Sequence, residues 1–89
     1  MNTGTKYELM QQILDELEAL KTRQASIMEK ISTLEKQNIQ LADTQLEIKL
    51  DDLYESAAMS TEKAKNTFSF FKQKLNDFAN ENHLRIENA

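Results

Sequence analysis

One histidine and two carboxylate pairs are the side chains of this 89-residue chain whose spacing could support chemistry. His83 precedes Glu87 by four residues, which places both side chains on one face of a helix as two potential metal ligands. Two ligands are too few for a protein metal site, so we expect a polar surface pair. In Asp15–Glu16 and Asp51–Asp52 the two side chains are neighbours in sequence and diverge by about 100° on a helix, which does not form an acid/base dyad.

Other catalytic signatures are missing from the sequence. It contains no glycine-rich phosphate loop, no serine nucleophile motif and no HExxH, and the absence of cysteine removes thiolate chemistry. The sequence therefore predicts a protein that is not an enzyme. We expect no catalytic residue, no cofactor and no metal.

A basic and aromatic segment in the C-terminal third is the strongest candidate for binding. Phe70 points roughly away from the stripe formed by its neighbours, and Lys63, Lys72 and Lys74 lie around it. An outward aromatic ring indicates contact with a partner protein. The same residues could contact nucleic acid or an anionic membrane surface, or form an ordinary solvated helix face, and the net charge of −4 opposes the first two of these.

The elements that must carry these residues are helices. The chain has no proline and one glycine, Gly4, so it lacks the residues that make tight turns in β-rich folds. Without cysteine it also lacks disulfides, and so short a chain gains stability most readily by oligomerisation. No apolar run approaches a membrane span, and the sequence predicts a soluble, intracellular, cytoplasmic protein.

A heptad repeat runs through the first half of the chain. The repeat predicts a coiled-coil seam with apolar residues at positions a and d, and every d residue is Ile or Leu. We expect an oligomer interface built from Met10, Ile13, Leu17, Leu20, Gln24, Ile27, Ile31, Leu34, Asn38 and Leu41.

Polar and charged residues along the seam bear on its geometry. Gln24 and Asn38 at position a favour one register, because a buried amide bonds best to its own copy in an aligned chain. Glu16 with Lys21, and Lys30 with Glu35, are attractive pairs in a parallel coil, although exposed pairs contribute little. The residues at a and d conflict on strand number, so a dimer is favoured while a trimer or tetramer stays open.

The predicted organisation is a flexible N-terminus (1–4), a coiled-coil helix (5–50), a bend or helical connection (51–60), an aromatic amphipathic helix (61–86) and a tail (87–89). Ser60 or Thr61 is expected to cap the second helix, and Phe68, Phe71 and Phe78 are expected to pack on the first. Leu9, Leu14, Met28 and Ala42 widen the apolar stripe, which indicates packing against more than one helix.

These features predict an all-α protein. It forms either an antiparallel hairpin that pairs into a bundle, or a parallel coiled coil with its second helices outside. The predicted function is that of an oligomeric adaptor, scaffold or small inhibitor that binds itself and an unidentified protein. A regulator associated with nucleic acid and a peripheral membrane helix are the alternatives.

Overall fold

Two long helices form the whole of the described chain. The computed structural model describes residues 1–84, in which α1 spans Thr3–Leu41 and α2 spans Thr44–Glu81. A helix of 39 residues is about 58 Å long, and the molecule measures 59 × 20 × 19 Å. The helices therefore lie side by side along their full length as an antiparallel hairpin. The all-α prediction is confirmed, and of the two predicted architectures the chain adopts the hairpin.

The chain reverses at Ala42 and Asp43, not within residues 51–60. Ala42 adopts the left-handed conformation (φ 58°), and its backbone N–H donates to the Asn38 carbonyl at 2.6 Å. Asp43 caps the next helix, because its carboxylate accepts the N–H of Leu46 at 3.0 Å. The prediction of one helix over residues 5–50 is therefore wrong in its C-terminal boundary.

The residues expected to begin the second helix lie within α2 instead. The Thr61 hydroxyl donates to the Ala57 carbonyl one turn earlier, at 2.8 Å, rather than capping a helix N-terminus. A threonine side chain can satisfy itself in this way inside a helix, so the signal at Ser60–Thr61 was ambiguous. Residues 46–50 are helical, in agreement with the preferred interpretation of that segment.

Both outer ends of the hairpin are capped. Asn2 accepts the Thr5 N–H at 2.7 Å, and α1 begins at Thr3, so residues 3 and 4 belong to the helix rather than to a flexible terminus. At the other end His83 is left-handed (φ 56°), and the Leu84 N–H bonds to the Ala79 carbonyl at 2.7 Å. This is a Schellman ending. The predicted helix end at 86, the tail at 87–89 and Glu87 lie outside the described residues.

The core of the hairpin is one narrow seam. On α1 it uses position a together with position e, four residues further on. On α2 three of the five buried residues are alanines, which lets the two backbones approach closely. The buried apolar residues are Met10, Ile31, Leu50, Ala57, Ala64, Leu75 and Ala79.

Candidate interaction surface

The heptad residues of α1 separate into two rows in the structure. Those at position a point towards α2: Met10 and Ile31 are buried, and Leu17 is half-buried. Leu14 and Met28 at position e are also half-buried, which agrees with a stripe wide enough for a second helix. The hairpin thus covers the side chains at position a with α2 of the same chain.

The residues at position d form a continuous apolar row that α2 leaves half-exposed. We call this the open row. It consists of Ile13 (40% exposed), Leu20 (44%), Ile27 (45%), Leu34 (45%) and Leu41 (68%). Leu9, at 41%, extends the row towards the start of α1, for a length of about 48 Å. Isolated exposed leucines are ordinary, but an unbroken line of this length on one face is typical of an interface.

The two sides of the hairpin differ in character. Grooves on one side are lined by residues from both helices, such as Ala25 with Lys65 and Ile39 with Asp51. The open row lies on the other side, since position d and the groove residues flank opposite edges of the seam. A shallow groove there is lined by α1 alone, from Leu9 to Arg23.

α2 contributes to the same side through residues that match position d in its own repeat. Near the turn these are apolar, Leu46 (36% exposed) and Leu53 (50%). Further along α2 they become Ser60, Thr67 and Lys74. We call the side that carries the open row, Leu46 and Leu53 the open face. It is apolar along all of α1 and only along the first third of α2.

Asn38 has a different role from the one predicted. Its side-chain amide donates to the Asp43 carbonyl at 3.0 Å, and its amide oxygen accepts the Asp43 N–H at 3.3 Å. Asn38 is 7% exposed and fully engaged within its own chain. It therefore shapes the turn and is not available to bond to a second copy. Gln24 is half-buried, and its predicted role in register stays a prediction.

The charged residues expected to join two parallel chains are partly used inside the hairpin. Lys21, the predicted partner of Glu16, extends over the ring of Phe68 with its ammonium 4.3 Å from the ring centre. Lys21 and Glu35, both at position e, are half-buried along the seam with α2. Position e is therefore occupied by the hairpin, which removes the support that these charges gave to a parallel coil.

The aromatic residues of α2 divide as the helical spacing predicts. Phe68, Phe71 and Phe78 are half-buried on the side of α1, and the Phe78 ring stacks on Tyr7 with centres 6.5 Å apart. Phe70 points outward, 63% exposed, with the Lys74 ammonium 5.5 Å from its ring centre.

The remaining candidate lysines accompany this segment in different ways. The Lys72 ammonium lies 6.0 Å from the centre of the Phe68 ring, and Lys63 is exposed. Lys72 and Lys74 thus each cover a ring of their own helix, where a cation is weakly attracted to the aromatic face.

The described residues do not assemble a metal centre or a membrane span. Within residues 1–84, no group of three or more His, Asp or Glu side chains is placed to hold a metal ion. Neither helix, as far as the structure describes it, has a stretch with the length and hydropathy that crossing a bilayer requires. Comparison with protein-family models, with curated proteins and with solved structures gives no match.

Proposed function

We propose that the chain is a non-catalytic interaction protein, an oligomeric adaptor, scaffold or small inhibitor, whose helical hairpins associate through the open face. The open row carries this proposal. Its five Ile and Leu residues at position d are the residue types that coiled-coil cores select. In the isolated hairpin each keeps 40% or more of its surface in water.

The physical reason for association is the apolar surface left on a small core. Burial of apolar surface contributes about 25 cal/mol per Å². The hairpin itself encloses only one seam, and small domains with little buried surface commonly gain stability from a partner. Covering the open row adds a second seam to the first, which is the arrangement of a helical bundle.

The test is the solution mass by light scattering over a concentration series. The double variant Leu20→Asp and Ile27→Asp places two charges in the open row without touching the buried seam. We expect the unmodified chain to be oligomeric and this variant to be monomeric, with helicity retained in circular dichroism.

A matched control uses the same substitution elsewhere on the same helix. Ile39 is 78% exposed and lies off the open face, so Ile39→Asp should leave the oligomer intact. An unmodified chain that is monomeric at all concentrations, or a double variant with unchanged mass, would contradict the proposal.

A further inference from the structure

The open face is shaped to receive a second copy of itself in one orientation. We infer that two hairpins pair face to face about a twofold axis that passes α1 between Arg23 and Gln24, so that each α1 lies antiparallel to its copy. This inference rests on the proposed self-association and adds its geometry. It follows from the row, the charges beside it and the position of Phe70.

The open row is symmetric about the proposed axis. Leu20 and Ile27 are equally distant from the point between Arg23 and Gln24, and so are Ile13 and Leu34. Rotation about that point places Leu20 of one copy beside Ile27 of the other, and Ile13 beside Leu34. The four central residues of the row then meet apolar residues, as a self-complementary interface requires, while Leu41 lies at the end of the interface, level with Lys6.

The area of the open face suits a stable dimer. The row extends about 48 Å, and the hairpin is about 20 Å wide. A face of that outline offers roughly 900 Å² per copy, close to the ~800 Å² per partner of standard interfaces. Pairing through α1 alone would cover about half of this.

The charges that border the open row agree with the antiparallel orientation. Glu16 and Lys30 both occupy position g on the outer edge of the row, and their distances from the axis differ by only one residue. The rotation brings Glu16 of each copy beside Lys30 of the other, which gives two attractive pairs. A parallel arrangement of α1 would instead leave Glu16 of one copy and Lys30 of the other 14 residues apart, about 21 Å along the axis, so this pair could not form.

The same axis gives Phe70 a partner. Tyr7 faces Phe78 and the turn is at Ala42–Asp43, so the point between Arg23 and Gln24 is level with Thr61–Glu62 of α2. Leu53 and Phe70 are equally far from that level on either side. Both border the open face, and the rotation brings Leu53 of one copy to Phe70 of the other. Phe70 (63% exposed) and Leu53 (50%) are thereby covered together.

The other face-to-face stacking, in which α1 lies on α2 of the second copy, fits poorly. It would place Ile13 and Leu20 against the part of α2 where the corresponding residues are Thr67 and Lys74. Apolar layers would then meet polar ones, which would remove polar side chains from water.

The proposed pairing carries like-charge contacts of its own. It brings the two Arg23 side chains together and places Lys74 near Lys49. Arg23 borders the row at position g, and Lys74 and Lys49 lie towards the ends of the face, where each contact is screened and comparable in size to a Glu16–Lys30 attraction. The matched apolar layers therefore decide the orientation.

Cross-linking in a chain that has no cysteine tests the pairing directly. Glu16→Cys and Lys30→Cys are made separately, one with a mass tag, then mixed and treated with a short bismaleimide. We expect the mixed cross-linked dimer and no cross-link within either variant alone. Cross-links within each variant alone would show that each residue lies beside its own copy, and no cross-link at all would show a different face. Either result overturns the inference.

A second pair of cysteine variants tests the contact between the two α2 helices. A control variant detects cross-links that form by random encounters in solution. Leu53→Cys mixed with Phe70→Cys should also give the mixed dimer, whereas Thr22→Cys, exposed and off the open face, should give none. Phe70→Ala should weaken dimerisation about tenfold, and an unchanged dissociation constant would remove Phe70 from the interface. If the Asp variants lose the oligomer but these cross-links fail, self-association stands and only its geometry is wrong.

Discussion

The heptad position of Asn38 predicted correctly that its side chain points inward, but the hydrogen-bond partner predicted for it was wrong. Its place in the heptad identified it correctly as an inward residue, and it is 7% exposed. The sequence could not show that the chain reverses five residues later and brings the Asp43 backbone within reach. An Asn in a coiled-coil seam and an Asn that bonds to a turn can occupy the same heptad position. Only the location of the turn distinguishes them.

Asn38→Leu separates these two roles. An apolar residue at position a stabilises a coiled-coil seam, but here the exchange removes both hydrogen bonds to Asp43 and leaves its N–H without a partner, while its C=O keeps the bond from the Glu47 N–H. We expect a net loss of about 1 kcal/mol in the free energy of unfolding, since each of the two lost hydrogen bonds contributes ~0.5–1.5 kcal/mol. Chemical denaturation at fixed protein concentration measures it. Gln24→Leu is the matched control and should stabilise, so equal gains in both variants would contradict the turn role.

Ala42 is strained in its present conformation. A non-glycine residue in the left-handed region is disfavoured by roughly 1–2 kcal/mol, and glycine removes that cost at the price of some entropy in the unfolded chain. Ala42→Gly should therefore raise the free energy of unfolding by about 0.5–1 kcal/mol. The β-branched variant Ala42→Val should lower it. A destabilising Ala42→Gly would show that the turn is not left-handed in solution.

At the level of helices, composition and periodicity were sufficient for the type of element but not for its boundaries. The repeat predicted the inward face of α1, and the spacing of Phe68, Phe71 and Phe78 predicted the inward face of α2. The turn was missed because Leu41–Gln45 contains neither glycine nor proline, while the apolar repeat continues through Ile48. The available signal was Asp43 as a helix cap followed by Glu47 in the first turn. Ser60–Glu62 offers the same pattern and forms no cap.

The start of α1 provides a prediction about helix propensity. Gly4 lies inside the helix, and a β-carbon added there would meet Asn2 Oδ1 at 3.6 Å, an ordinary contact. Gly4→Ala should raise the free energy of unfolding by about 0.5–1 kcal/mol. The reverse exchange at an exposed position of the same helix, Ala19→Gly, should lower it similarly. No gain from Gly4→Ala would indicate that the first turn is frayed.

For the whole molecule, the sequence predicted that positions a and d together form a seam for self-association. In the hairpin these two positions have different surroundings. Position a is used within the chain, and the residues at position d stay largely exposed. The sequence alone could not show which position faces α2, because both positions are apolar. That assignment requires the location of α2 relative to α1.

The proposed association also predicts how stability depends on concentration. Because a second copy binds the folded hairpin and not the unfolded chain, the melting temperature should rise as protein concentration increases. The variant with Leu20→Asp and Ile27→Asp should melt at a temperature that concentration does not change. Calorimetry over a hundredfold range measures both. If the melting temperature of the unmodified chain also stays constant with concentration, the chain does not self-associate through the open row.

The two-residue connection at Ala42 and Asp43 has a mechanical consequence. Thr3 and Glu81 lie together at one end of a rod about 59 Å long, with the fold-back at the other. Tension applied between these two points peels the helices apart one layer at a time, as a zipper opens, rather than sliding them past each other along their whole length. Such a load meets only the Tyr7–Phe78 layer at first. The rod should therefore open at low force from that end, and Ala42–Asp43 should separate last.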